Sequence, residues 1–212
     1  MHFWAMDVSL AIVNHELGIS KRTIVDWLNF FREICSQYVA QQNTPIGGPG
    51  KTVEIDESVF CKTKYNRGRR REHKWVFGGV ERGNPKKCFF VCVEDRTRET
   101  LIPIIKQYIA PGSTIVSDEW RAYRSIGRLA GFNYTHLTVN HSENFVNPQN
   151  PEAHTQSIES LWGRLKKPFK RRNGTSDILF RSYVDQFIFR SHFAYPATFG
   201  RLLFWIQNFY PV

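Results

Sequence analysis

Apolar residues follow two rhythms along this chain, and the rhythm changes near residue 50. Before it, Ile24, Trp27, Leu28, Phe31, Cys35 and Tyr38 recur at helical spacing. Just upstream, Glu16-Leu17-Gly18-Ile19-Ser20 reads as a turn, with Gly18 supplying permissive backbone and Ser20 a helix N-cap. Residues 5–39 should therefore form two helices joined by a Gly turn. That is the shape of a helix-turn-helix, in which Lys21, Arg22 and Thr23 open the second helix, where base or phosphate contacts are made. A plain helical hairpin packing on the main domain explains the same pattern equally well. Thr44-Pro45-Ile46-Gly47-Gly48-Pro49-Gly50 breaks the pattern and marks the best boundary, giving a helical segment at 1–43, a linker at 44–50 and a larger domain at 51–212.

Past the boundary the apolar period shortens to that of strands. Strands are expected at 53–60, 74–81 and 87–94, a helix at 98–110, a strand at 113–117 ending at Asp118, and a helix at 120–130. A further strand at 134–139 precedes a polar loop at 144–152. Helices follow at 155–172, kinked or ended near Pro168, and at 177–192. The order β-β-β-α-β-α-β-α, opening on a three-strand meander, predicts an α/β fold: a ribonuclease-H-like mixed sheet flanked by helices.

Charge then narrows the function. Twenty-nine Lys+Arg against nineteen Asp+Glu give a net charge of +10 over 212 residues and a pI near 9.6. The imbalance favours a polyanionic partner, nucleic acid or an anionic membrane surface. No apolar run reaches the ~18 residues of a transmembrane helix, and the N-terminus lacks a secretory pattern. Cys35, Cys61, Cys88 and Cys92 match no zinc-ribbon spacing and read as reduced, mostly buried thiols, which points to an intracellular home.

Three acids stand out. Asp56 lies in a strand where Val53, Ile55 and Glu57 face one way and Glu54, Asp56 and Ser58 the other. Asp118 ends the apolar run Ile115-Val116-Ser117. Glu159 lies beside the apolar stripe Ile158, Leu161, Trp162, Leu165 and Phe169 of its helix. Taken singly, Asp56 reads as a solvated strand-end acid and Asp118 as the N-cap of the next helix. Glu159 has no basic residue three or four positions away, so ordinary helix pairing is weakly supported. Carboxylates on two strands and a helix can converge on paired divalent cations, and many enzymes cut or join phosphodiesters that way.

Two basic blocks accompany the acids. One spans 62–71 and includes Arg69, Arg70 and Arg71; the other ends the Glu159 helix with Lys166, Lys167, Lys170, Arg171 and Arg172. A charge run is usually a solvated face, but two runs flanking candidate acids favour phosphate binding. They could also serve nuclear import, which would make the chain nuclear in a eukaryote. His136, His141 and His154 match no standard zinc spacing. His154 is better placed to orient a carboxylate or contact DNA near the site.

Several segments together resemble the Merlin superfamily of DDE transposases, whose bacterial relatives are insertion-sequence transposases with the same catalytic domain. They are 53–58, Lys64-Tyr65-Asn66-Arg67-Gly68-Arg69, Trp75-Val76-Phe77-Gly78-Gly79, Ser117-Asp118-Glu119-Trp120-Arg121-Ala122-Tyr123, Val139-Asn140-His141-Ser142, Phe145-Val146 and 154–162. They follow one consistent order over roughly 17–192; Gln156 departs mildly from the Asn of the family pattern. The resemblance implies a cut-and-paste transposase with Asp56, Asp118 and Glu159 as its acids, holding two Mg²⁺ or Mn²⁺ ions. It also implies double-stranded DNA as partner, both transposon ends and target, and a homo-oligomer assembled on that DNA. The rival is a transposon-derived DNA-binding protein that no longer cuts.

Overall fold

The computed structural model describes residues 1–42, 44–60, 74–139, 154–171 and 175–211. Two compact units emerge, one formed by 43–175 and the other by 1–42 together with 176–212.

The larger unit is built on a five-stranded sheet. Its strands are β2 (Thr52–Val59), β3 (Trp75–Glu81), β4 (Asn84–Val93), β6 (Thr114–Asp118) and β7 (Thr135–Val139), in the order β4-β3-β2-β6-β7. β2, β3 and β4 form the antiparallel meander, while β6 pairs parallel with β2 and β7 parallel with β6. This mixed sheet with its helices is the ribonuclease-H-like α/β fold expected from the element order. A small parallel ladder of β1 (Ile46–Gly47) and β5 (Ile109–Ala110) stands apart.

One sheet face is covered by α4 (Arg98–Tyr108) and a 3₁₀ helix (Arg121–Arg128). They enclose a core of Val53, Ile55, Phe77, Leu101, Ile105, Ile115, Tyr123 and Ile126. The segment after Asp118 is thus a tighter 3₁₀ helix rather than the α-helix expected there. On α5 (Gln156–Arg171), Ile158, Leu161, Trp162 and Leu165 are buried, and the helix runs through Pro168 to Arg171. Trp162 packs edge-on against Phe90 of β4.

The smaller unit holds α1 (His2–Ala5), α2 (Leu10–Leu17), α3 (Lys21–Ala40), α6 (Asp177–His192) and α7 (Ala197–Phe209). Gly18 ends α2 at φ 63, and its N–H bonds back to Asn14 O; Ser20 Oγ caps α3 by accepting from Thr23 N at 3.1 Å. The turn chemistry is as the sequence implies. The partition is not: α6, expected in the larger domain, and α7, which the sequence reading did not find, pack with α3. Phe31, Ile34, Cys35 and Tyr38 of α3 share one core with Phe189 and Leu202. Ser36 Oγ donates to Asp185 at 2.7 Å, and Tyr38 Oη lies 2.8 Å from His192 Nδ1. An amphipathic 20-residue helix needs an apolar surface to cover its stripe, and here α6 and α7 supply it. Among the described residues no helix is long and apolar enough to cross a membrane.

Candidate active site

The β2–β6 ladder pairs Thr52 with Thr114, Val53 with Ile115 and Glu54 with Val116, and ends there. Two residues further along each strand stand Asp56 and Asp118, where the strands part. The carboxyl ends of neighbouring parallel strands are the usual ligand crevice of open α/β sheets.

Asp56 is held at both oxygens. Its Oδ1 accepts from Glu57 N at 2.8 Å and its Oδ2 from Trp162 Nε1 at 2.9 Å. Burial, then the neighbouring charges of Glu57 and Asp118, push its carboxyl up to about 7, against the pull of those two hydrogen bonds. Asp118 Oδ1 accepts from Trp120 N at 2.9 Å. This is an Asx-type turn that orients the carboxylate three residues before the 3₁₀ helix, in place of the expected helix cap. Glu57 points to the opposite sheet face, as strand alternation requires. There Tyr123 Oη donates to its Oε2, and Arg96 Nη1 approaches its Oε1 at 3.6 Å. Burial raises the Glu57 carboxyl as well.

Glu159 lies on the exposed side of α5, and Thr155 Oγ1 donates to its Oε1 at 3.2 Å. It precedes Trp162 by three residues, so the helix that carries it touches Asp56 through the indole. Among the described residues no three His, Cys, Asp or Glu side chains converge as a metal-binding group.

Sequence reasoning missed Glu54. Its carboxylate is fully buried and receives the first turn of α5. Ser157 N donates at 2.8 Å, Ile158 N at 3.1 Å and Ser157 Oγ at 3.0 Å, while Arg82 Nε donates at 2.9 Å. Arg82 also donates to His154 O at 2.9 Å. A carboxylate at a helix N-terminus satisfies orphan N–H groups and complements the dipole. The available signal was strand alternation, which puts Glu54 on the face of Asp56. His154 Nδ1 lies 3.5 Å from Glu54 Oε1, so the carboxylate His154 approaches is this one rather than one of the three candidate acids.

Gly78 of β3 pairs with Asp56 of β2. A Cβ there would lie 2.7 Å from Phe90 Cδ1 and 3.0 Å from Trp162 Cη2. Its missing side chain leaves room for the Phe90 ring and for the edge of the indole.

Of the candidate DNA contacts, Lys21 and Arg22 are exposed on the first turn of α3, while the Thr23 hydroxyl lies 2.9 Å from Ser20 Oγ. Lys167, Lys170 and Arg171 are exposed on α5, and Lys166 Nζ sits 5.5 Å from the Phe60 ring centroid. Arg69, Arg70, Arg71, Arg172, Cys61 and His141 lie outside the described residues. His136 Nε2 is 2.9 Å from Ser117 Oγ, and burial holds its imidazole below the usual value.

The model of the ISXO2-like transposase domain matches residues 38–192; it carries that name rather than the Merlin one. A Haemophilus influenzae "uncharacterized transposase-like protein" is 27% identical over 100 residues, which is 47% of this chain and 76% of the relative. Among solved structures, a chain of the simian T-cell lymphotropic virus intasome in complex with PP2A regulatory subunit B56 gamma aligns at a TM-score of 0.43 and 14% identity, covering 86% of this chain and 68% of that one.

Proposed function

Because the chain belongs to the ISXO2-like transposase domain family, we propose that it cuts and rejoins DNA strands, with Asp56, Asp118 and Glu159 as the ligands of two Mg²⁺ or Mn²⁺ ions. The observation that carries this is the placement of Asp56 and Asp118 at matching positions where β2 and β6 part. The raised proton affinity of Asp56 fits a cation: buried carboxylates crowded together are relieved by positive charge. The donor set is all oxygen, which suits hard divalent ions that retain several waters.

When bound, such ions activate the attacking oxygen and stabilise the leaving one. The chain's own residues fix the ligands. Trp162 and the Glu57 amide each occupy one lone pair of Asp56, and each carboxylate oxygen has a second. The Trp120 amide sets the rotamer of Asp118. Glu54 and Arg82 anchor the start of α5, the helix that bears Trp162 and Glu159. Lys166, Lys167, Lys170 and Arg171 continue along α5 as candidate phosphate contacts for duplex DNA, with Lys21, Arg22 and Thr23 on α3 as a second set. The same proposal includes transposon ends and target DNA as partners and a homo-oligomer assembled on them.

The test is Mn²⁺-dependent nicking of supercoiled plasmid, with DNA affinity measured alongside. Asp56→Asn, Asp118→Asn and Glu159→Gln should each abolish nicking and leave affinity within about twofold. Double replacements should be no worse than single ones, because ligands of one site act as a unit. Glu119→Gln, at an exposed neighbour, should nick normally. An unchanged protein that binds DNA and never nicks it would replace this proposal with the non-cutting DNA-binding protein.

A further inference from the structure

Against the 3₁₀ helix lies a cleft of about 520 Å³, lined by Arg96, Arg98, Glu99, Trp120, Arg121 and Arg124 among others. Four arginines face one glutamate there. None belongs to the basic blocks apparent in the sequence, because two separate stretches of chain contribute them.

The cleft is built. The Arg96 guanidinium sits over two rings, 4.2 Å from the Trp75 centroid and 4.4 Å from that of Trp120. Its outward reach is limited by Glu57, 3.6 Å away. Trp120 Nε1 donates to Arg96 O at 3.0 Å, which ties one lip to the other. The Arg121 guanidinium lies 5.6 Å from the Trp120 centroid. Stacking on an aromatic face immobilises a guanidinium and leaves its N–H fork available in the ring plane. Arg98, Arg121 and Arg124 are exposed and make no ion pair among the described residues. Asp95, an adjacent acid, accepts from Thr97 and Thr100, whose hydroxyls donate to its Oδ1 at 2.8 and 2.6 Å. Like charges in excess of the acids beside them repel one another, and a polyanion relieves that repulsion. Arg98 and Glu99 also belong to the first turn of α4, whose dipole adds to the positive field.

The position of the cleft matters as much as its charge. Trp120 N holds Asp118, and Arg96 reaches Glu57, the residue after Asp56. The Trp120 lip is therefore continuous with Asp118, while Arg96 meets Glu57 on the sheet face opposite Asp56. We propose that this cleft binds the phosphodiester backbone of the DNA strand presented to Asp56 and Asp118, through Arg98, Arg121 and Arg124, with Arg96 as the fixed pillar. Contacts of this kind position a strand without reading its sequence. The inference rests on the transposase reading but can fail separately from it.

The experiment measures affinity of the full chain for a duplex from low to physiological salt. Each phosphate contact contributes about 0.9 to the slope of log affinity against log salt. Arg98→Gln with Arg124→Gln should lower the slope by about two, equally for unrelated sequences, with the melting temperature preserved. Should that pair fail to fold, Arg121→Gln alone should lower it by about one. A photoreactive side chain placed at position 121 should crosslink to DNA. In parallel, inorganic phosphate alone is titrated against Trp fluorescence. Saturation by phosphate at concentrations no higher than those of an oligonucleotide would mark a small-anion site and overturn the proposal. Variants that keep the parental slope, in a protein that binds and nicks DNA, would overturn it too and leave the transposase reading standing. If the unchanged protein binds no DNA, both fall.

Discussion

The indole of Trp162 donates its N–H to Asp56 Oδ2 at 2.9 Å, so one helix residue and one strand residue fix each other at the candidate active site. Trp162→Phe keeps most of the ring and removes the donor. Nicking should fall by roughly tenfold or more, the scale of one hydrogen bond to a charged group. DNA affinity should hold. Equal losses of affinity and nicking would show that Trp162 serves binding rather than the carboxylate.

Metal-free protein should lose stability as pH rises through the acid range. Asp56 has a folded value of about 7 against an ordinary 3.8. The fold thus favours its protonated form, and the associated stability is complete below about pH 4. It declines between there and pH 7, by at most about 1.4 kcal/mol per pH unit, and is level above. Asp56→Asn should flatten that part of the profile, and Mg²⁺ should raise stability most at the alkaline end. Denaturant melts at half-unit pH steps provide the measurement. An unchanged slope in Asp56→Asn assigns the dependence elsewhere.

Glu54→Gln should cost about 3–5 kcal/mol, the scale of breaking a buried ion pair, because it removes the charge to which Arg82 Nε and the first turn of α5 donate. Urea unfolding reports the loss. A cost below about 1 kcal/mol, the value of an exposed ion pair, would show that the clamp contributes no more than a surface contact.

Much of this was legible from residue order. The meander, the Gly18–Ser20 turn and the buried stripe of α5 follow from local periodicity, and 177–192 is helical as expected. Strand alternation separated Glu57 from Asp56 correctly. What stayed hidden depends on contacts distant in sequence. The clamp joins Glu54 to Ser157, and the arginine cleft joins Arg96–Arg98 to Trp120–Arg124; no local spacing encodes either. The placement of α6 was missed for the same reason. Its surface is apolar enough to cover either unit, and only the match with the α3 stripe decides.

Gly78→Ala should be more harmful than its single methyl suggests. The added carbon meets two aromatic rings at 2.7 and 3.0 Å, and overpacking of this kind costs about 1–3 kcal/mol. Nicking should drop further than stability accounts for, because one of the displaced rings is Trp162. Calorimetry paired with nicking rates separates the two losses. A variant as active as its parent at a temperature where both are folded would show that the indole can move without consequence.

The helical unit is assembled from both ends of the sequence, with Phe31 and Ile34 sharing a core with Phe189 and Leu202. During synthesis, α3 therefore leaves the ribosome with its apolar stripe uncovered and must wait until the sheet-bearing segment and then α6 and α7 have been made. Transient exposure of such a stripe invites aggregation. Removing the first forty or so residues would likewise uncover the apolar faces of α6 and α7, so α3 and the α6–α7 pair depend on each other for cover.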